Sequence, residues 1–184
     1  VYDIRVYSER TRQVASTAYR RVILGEHVPN EDKLFSIFEP HTQLYRRGKA
    51  GQENQFGRLT MVCEDGAGFI SHHYVLRRDE QDVDVAVPQT KILQDKLNGA
   101  IEEISFDRGF YSEANDKALK DLVRNPCLPK RSVSGYTEQM KNASVSFRAA
   151  RQRHSGVESA IGALQSGNGA KRCRDRPEMG FERY

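Results

Sequence analysis

The first part of the chain shows the pattern of an amphipathic helix. Arginines fill one face, and the opposite face carries Tyr7, Thr11, Val14, Ala15, Ala18 and Val22 at helical spacing. Gly25 is a typical residue after a helix end, and Pro29 follows it. The pattern predicts an N-terminal helix over residues 1–25.

The next segments alternate between apolar runs and polar stretches. Residues 34–38 form a short apolar run and predict a strand, whereas residues 41–55 are polar and basic and predict a loop. Residues 56–63 and 68–76 are strand-like and flank the pair Asp65-Gly66. An Asp-Gly pair between two such runs predicts an antiparallel hairpin.

The second half of the chain alternates helical and strand-like patterns. It predicts, in order, a helix from Pro88 to about Asn98, a strand over residues 101–106, a helix capped by Ser112, a short strand over 127–129, an irregular segment over 130–145 and a helix over 147–164. This order predicts an α/β fold in which helices flank a mixed sheet. A ribonuclease-H-like core over about residues 33–165 fits it.

Charge adds a preference for a partner. The 184 residues are enough for one domain with a core, and the net charge is +4 with a pI of about 9.0. Clustered cations neutralise phosphates, although the same clusters could form a solvated basic surface. The clusters contain Arg46, Arg47, Lys49, Lys130, Arg131, Arg151 and Arg153.

Cysteine usage and hydropathy exclude several classes of protein. Cys63, Cys127 and Cys173 form no C-x-x-C pair, which disfavours a disulfide framework or a cysteine zinc site and favours a reducing cytosol. No apolar stretch approaches the roughly 20 residues that span a bilayer. The chain starts inside a helical pattern and ends without a stop signal, so we expect an N-terminally truncated sequence.

Asp107 is a candidate metal ligand because it follows the predicted strand at 101–106. Ligand sites of α/β sheets gather at the carboxyl ends of strands, where a carboxylate can face a cation. The alternative is a turn-forming aspartate in Asp107-Arg108-Gly109. The local pattern leaves both interpretations open.

Glu158 is a second candidate, beside the apolar face of the predicted helix over 147–164. It could reach the same metal ion. The alternative is a capping box in which Ser155 and Glu158 begin a helix. If the helix runs unbroken through this point, Ser155 caps nothing.

Other acidic and imidazole side chains carry weaker signals. His72 and His73 are neighbours on a predicted strand, so they point to opposite faces and do not easily share an ion. The acidic run after the hairpin predicts a solvated loop from which one carboxylate could help the site. It contains Asp79, Asp82 and Asp84.

Three segments together resemble insertion-sequence transposases of the ISNCY type. They are DKLFSIFEPHT at 32–42 with GKAG at 48–51, SFDRGFYS at 105–112, and RQRHSGVESAI at 151–161. The resemblance covers nearly the whole chain, in order. It implies a DDE transposase, in which three acidic residues on a ribonuclease-H-like fold bind two Mg²⁺ or Mn²⁺ ions and the enzyme cleaves and transfers DNA strands.

The resemblance also implies roles for individual residues. Asp107 lies in the D-x-G-F motif of the second acidic residue, and Glu158, 51 positions later, matches the third. Both are expected to be catalytic metal ligands. The first aspartate of the family is expected upstream of Val1.

DNA is the partner that the resemblance implies, together with a homodimer on paired DNA ends, a bacterial cytoplasmic location at the nucleoid and no membrane. Related groups place Tyr and Arg at the spacings that Arg151 and His154 occupy here. The alternative is an inactive transposase remnant that keeps at most DNA binding. The candidates to hold DNA phosphates are Arg46, Arg47, Lys49, Lys130, Arg131, Arg151, Arg153 and His154.

Overall fold

The chain combines helices with short strands, and the computed structural model describes residues 2–46, 54–169 and 179–180. Its helices are α1 (Tyr2–Val22), α2 (Asp82–Lys96), α3 (Glu113–Leu122), α4 (Val133–Lys141), α5 (Val145–His154) and α6 (Val157–Ser166). Its strands are β1 (Gln43–Arg46), β2 (Asn54–Gly57), β3 (Thr60–Glu64), β4 (Ile70–Val75), β5 (Glu103–Ser105) and β6 (Asn125–Cys127). The fold class is therefore mixed α/β, as predicted. Two units divide the chain, residues 1–59 with 173–184, and residues 60–172.

The first unit confirms the N-terminal helix and corrects the strand predicted over residues 34–38. That segment consists of bends and turns. Arg10 donates to the carbonyl of Ile37 at 2.9 Å, and the rings of Tyr7 and Phe38 lie 5.5 Å apart. Side chains of α1 thus provide this apolar run with a hydrogen bond and a packing contact in place of a strand partner.

The loop predicted over residues 41–55 is also corrected, because it contains strand residues. β1 and β2 pair antiparallel, with Leu44 opposite Phe56. Leu44 and Phe56 form an apolar cross-strand pair, and such pairs stabilise a two-stranded ladder. The polar pattern conceals β1 and the start of β2. The strand predicted over 56–63 is divided in the structure, because residues 56 and 57 belong to β2 and residues 60–63 to β3.

The hairpin predicted in the second unit is confirmed by β3 and β4, which pair antiparallel. The Asp65 carboxylate accepts hydrogen bonds from the N–H groups of Ala67 and Phe69, each at 2.9 Å. Gly68 has a φ of +86°, which a side chain would strain. Asp65 of the predicted pair therefore stabilises the turn, whereas the positive φ belongs to Gly68 and not to Gly66.

Helix α2 begins at Asp82, so the start predicted at Pro88 is wrong. The Asp84 carboxylate accepts from the N–H of Gln81 at 2.9 Å, and both aspartates lie in the first turn. Negative charge there stabilises the N-terminus of a helix. Pro88 consequently lies inside α2, and its side chain is exposed.

The strands β5 and β6 pair in parallel across the intervening helix α3, with Ser105 opposite Cys127. The Ser112 hydroxyl caps α3 by accepting from the N–H of Asn115 at 3.0 Å, as predicted. The last strand lies two residues earlier than predicted. Among the described residues the strands form three separate pairs, β1–β2, β3–β4 and β5–β6, and not one mixed sheet.

The C-terminal part of the second unit differs from its prediction in two ways. The segment expected to be irregular contains α4, which the Ser132 hydroxyl caps. Gln139 of α4 accepts from the N–H of Lys130 and donates to the carbonyl of Leu128. The helix predicted over 147–164 is divided into α5 and α6 by Ser155 and Gly156.

The core of the second unit lies where α2, α3 and α5 meet the parallel strands. α5 packs against β5 and β6, and α3 packs against α2 and β6. This packing brings the end of α5 to the carboxyl end of β5. The buried apolar residues of this unit are Met61, Leu76, Val85, Ala86, Leu93, Phe106, Leu119, Val123, Cys127, Leu128 and Ala150.

Candidate functional site

Asp107 lies directly after the carboxyl end of β5. The preceding residue, Phe106, is buried, and its N–H donates to the carbonyl of Cys127 at 3.0 Å, which continues the ladder to β6. The Phe106 ring packs on the Phe110 ring at 5.3 Å. Asp107 is therefore the first residue to leave the core, and 74% of its side chain is exposed.

The carboxylate of Asp107 is not used by the turn that follows. The turn is closed by the backbone, because the N–H of Phe110 donates to the Asp107 carbonyl at 3.2 Å. No side-chain hydrogen bond from Asp107 caps the short 3-10 helix Arg108–Phe110. The turn-forming interpretation therefore explains the backbone of Asp107 and leaves its side chain unexplained.

His154, the last residue of α5, is the partner of this carboxylate. Its Nε2 lies 3.1 Å from Asp107 Oδ1, and since an ionised carboxylate only accepts, Nε2 carries the hydrogen. This hydrogen bond lowers the pKa of Asp107 against the opposing effect of its partial burial, and the charges of His154 and Arg151 lower it further. Asp107 is thus held in its anionic form.

Arg151 contacts the backbone immediately before Asp107. Its Nη1 donates to the carbonyl of Phe106 at 3.0 Å. Its Nε is buried and, within the described part of the chain, has no hydrogen-bond partner. This arginine was predicted to hold a DNA phosphate, yet two of its guanidinium nitrogens, Nη1 and Nε, are directed at the protein.

Two more cations surround the 3-10 turn. Arg131 donates from Nη2 to the carbonyl of Gly109 at 3.0 Å. The guanidinium of Arg108 lies over the Tyr136 ring of α4, 4.1 Å from its centroid. Such stacking is a favourable cation–π contact. Cationic side chains from three segments therefore converge on the residues that follow β5.

Gly109 lies close to the carboxylate of Asp82. A Cβ placed on it would lie 2.6 Å from Oδ2 of Asp82, in the first turn of α2. The Asp82 carboxylate therefore lies against the backbone at Gly109, and a side chain there would displace it. Of the acidic run predicted as a solvated loop, Asp82 and Asp84 instead begin α2, and Asp79 is exposed before it.

Glu158 lies in the first turn of α6 with an exposed side chain. The predicted capping box is not formed, because Ser155 does not cap α6, and the helix is broken just before Glu158. That Glu158 is a metal ligand stays a prediction. The Ser155 hydroxyl donates to the carbonyl of Gln152 at 2.7 Å, and the N-cap of α6 is Gly156. The charged groups that act on Asp107 are His154 and Arg151, and not Glu158.

The other basic candidates are divided between the units. Arg46 is exposed on β1 in the first unit, while Arg47 and Lys49 lie outside the described residues. Lys130 is exposed in the second unit. Arg153 is ion-paired with Glu103 of β5. The structure therefore gathers Arg131, Arg151, Arg153 and His154 around β5 and the turn that follows it.

His72 and His73 confirm the alternation expected on a strand. His72 is buried, and its Nε2 lies 2.9 Å from Gln89 Oε1, while His73 is exposed. The Nζ of Lys96 lies 3.4 Å from the other ring nitrogen of His72. These contacts join β4 to α2 and give His72 a structural role.

Asn115 is a residue of the site that sequence patterns missed. Its amide donates to the carbonyl of Val83 at 2.7 Å and to that of Phe110 at 3.0 Å. It thereby ties the turn after Asp107 to α2. Its position as the third residue of a capped helix gave no signal, because one of the two acceptors lies 32 residues away.

The described residues provide one ligand for a hard cation, Asp107, and not a complete metal site. Asp107 offers an exposed anionic oxygen donor, the kind that Mg²⁺ and Mn²⁺ bind. Within residues 2–46, 54–169 and 179–180, no group of three His, Cys, Asp or Glu side chains is arranged to hold a metal ion.

Comparison with known proteins gives no relative, because no family model, no curated protein and no solved structure matches this chain. Among the described residues, no helix is long and apolar enough to cross a bilayer.

Proposed function

We propose that this chain is part of the catalytic domain of a DDE transposase of the ISNCY type, with insertion-sequence DNA as its substrate. The observation that carries the proposal is the Asp107 carboxylate, which is exposed and anionic at the carboxyl end of a parallel strand and serves no turn. The three segments that resemble these transposases add to it. A ribonuclease-H-like fold belongs to the same proposal, supported by the parallel unit β5–α3–β6.

In this function Asp107 is a metal ligand, and Glu158 is a second ligand by resemblance. The metal, Mg²⁺ or Mn²⁺, supplies activation of water or of a DNA 3′-hydroxyl and stabilisation of the leaving oxygen. The residues of this chain supply the rest. His154 orients the Asp107 carboxylate and keeps it ionised, while Asn115 fixes the turn behind it.

DNA binding is proposed to use exposed cations of both units. Lys130, Arg131 and Arg153 lie in the second unit and Arg46 in the first, and all are exposed. Contacts with phosphates release counterions, so we expect affinity for duplex DNA to fall steeply as salt is raised. A homodimer on paired DNA ends, in the bacterial cytoplasm at the nucleoid, completes this proposal.

The test uses the full-length protein, incubated with DNA that carries the ends of an insertion sequence. We expect nicking in Mg²⁺ or Mn²⁺. Asp107→Asn should abolish nicking and leave DNA affinity largely unchanged, because the amide is a poor metal ligand of the same shape. Asp121 is an exposed aspartate of α3. Asp121→Asn is the matched control and should nick DNA at the same rate as the unmodified protein. Unchanged nicking by Asp107→Asn would refute the assignment.

A second candidate is an inactive transposase remnant that keeps only DNA binding. The observation that favours it is the lack of three assembled metal-ligating side chains among the described residues. In that case the full-length protein binds DNA with the same salt dependence but does not nick it in Mg²⁺ or in Mn²⁺. A protein that neither binds nor nicks DNA contradicts both candidates.

A further inference from the structure

Two nitrogens of the Arg151 guanidinium, Nη1 and Nε, face the protein rather than solvent. Its Nη1 donates to the Phe106 carbonyl at 3.0 Å, and its Nε is buried. The neighbouring residue Ala150 is only 2% exposed, which places this side of α5 against the strands. A phosphate ligand needs N–H groups that are accessible at the surface, whereas Nη1 already donates to a backbone carbonyl and Nε is buried.

The other two arginines of the same helix are exposed, although they too contact protein groups. Arg148 is exposed and donates from Nη2 to the Lys141 carbonyl at 3.1 Å. Arg153 is exposed and pairs with Glu103. The orientation of Arg151 is therefore a property of its position and not of arginines on α5 in general.

Arg151 and His154 are three residues apart, so they lie on one face of α5. From that face Arg151 reaches the carbonyl of Phe106, and His154 reaches the carboxylate of the next residue, Asp107. The last turn of α5 thus contacts both the backbone and the side chain at the end of β5. The contact from Arg151 holds the backbone before Asp107 in position, and the contact from His154 holds the direction of the Asp107 carboxylate.

We propose that Arg151 is a positioning residue for Asp107 and not a phosphate ligand. This inference rests on the proposed function for its catalytic meaning. Its structural content, that Arg151 holds the backbone before Asp107, is independent of any DNA. A hydrogen bond from a charged donor is stronger than one between two neutral groups. Loss of the bond from Arg151 to the Phe106 carbonyl should therefore loosen the turn that follows.

The first measurement uses the unmodified chain. Exchange of the arginine Nε–H groups with solvent is followed by NMR at mildly acidic pH, with and without duplex DNA. Because Arg151 Nε is buried, we expect its hydrogen to exchange at least about tenfold more slowly than that of Arg148 before any DNA is added. Exchange as fast as in Arg148, with slowing only after DNA is added, would overturn the proposal.

The second measurement compares Arg151→Gln with Arg148→Gln, which removes the same charge from the same helix. Arg151→Gln should increase amide exchange at Phe110 and Tyr111, the N–H groups that close the turn, by about tenfold. Arg148→Gln should leave both rates unchanged. Equal rates in the two variants would contradict a positioning role. Should Arg151→Gln fail to fold, the exchange of Arg151 Nε–H in the unmodified chain decides alone.

The third measurement separates chemistry from binding in the nicking protein. Arg151→Gln should lower the nicking rate by about tenfold or more while the DNA Kd stays within about twofold, and Arg151→Lys, which keeps a donor and the charge, should recover part of the rate. A phosphate ligand would instead weaken binding and reduce the salt slope by about one. If the unmodified protein does not nick DNA, the proposed function fails, and the two exchange measurements still test the position of Arg151.

Discussion

Asp107 shows how one residue can use its backbone and its side chain for different purposes. Its carbonyl closes the following turn, while its carboxylate meets His154 and solvent. Asp65 is the contrasting case, because its carboxylate accepts hydrogen bonds from two N–H groups of its own turn. An aspartate whose carboxylate is left out of its own turn is the better candidate for a ligand.

Cys63 offers a prediction at this scale that depends on pH. Burial raises the pKa of its thiol from 9.0 to about 11. We therefore expect about a hundredfold less thiolate than in the unfolded chain at neutral pH, and correspondingly slow alkylation by iodoacetamide. The rate should continue to rise above pH 9, and mass spectrometry of the Cys63 peptide measures it.

The sign of the effect on stability follows from the same shift. A pKa raised by folding means that the folded state favours the protonated thiol. This contribution is fully present below pH 9 and is lost as the pH rises towards about 11. Equal alkylation profiles for the folded and denatured chains would contradict the raised pKa.

At the scale of elements, serine hydroxyls decide where several helices begin. Ser112, Ser132 and Ser144 each accept a hydrogen bond from the N–H three residues later. Ser155 precedes α6 but donates to Gln152 instead. The same residue type before a helix thus has two different uses, and only the first satisfies an unpaired N–H at the helix start.

Ser112→Ala and Ser155→Ala form a matched pair for this distinction. The first removes the cap of α3 and should lower the free energy of unfolding by about 1 kcal/mol. The second removes no cap and should change it by less than about 0.5 kcal/mol. Urea denaturation measures both values. A larger loss from Ser155→Ala than from Ser112→Ala would contradict this assignment of the two serines.

At the scale of the whole molecule, the two units differ in how much apolar surface they bury. Val28 is the buried apolar residue of the first unit among the described residues, and the others lie in residues 60–172. Burial of apolar surface is the main favourable term in folding. The second unit therefore contains the core that a stable domain needs.

We expect a fragment of residues 60–172 to fold by itself. It should unfold cooperatively in urea and keep the slow exchange of the β5 and β6 amides, because its core residues are all present. A fragment of residues 2–59 should show no cooperative transition and is the comparison. A non-cooperative transition in the 60–172 fragment would contradict the division into units.

Elements specified by local signals were predicted well. The N-terminal helix, the Asp65-Gly66 hairpin, the Ser112 cap and the strand before Asp107 each depend on residues a few positions apart. The predictions that were wrong involve distant partners. The run at 34–38 is held by α1, β1 needs β2 across an intervening segment, and the start of α2 depends on acidic residues that resembled a solvated loop.

The candidate site divides in the same way. The sequence by itself determined that a strand is followed by Asp107 and a turn, because the alternation over residues 101–106 and the run Asp107-Arg108-Gly109 are local signals. Only the tertiary structure decided that His154 and Arg151 meet Asp107 and the residue before it, since these partners lie 47 and 45 residues from theirs. Such pairings depend on how α5 packs against β5 and β6, and hydrophobic periodicity shows which face of a helix is buried but not which element covers it.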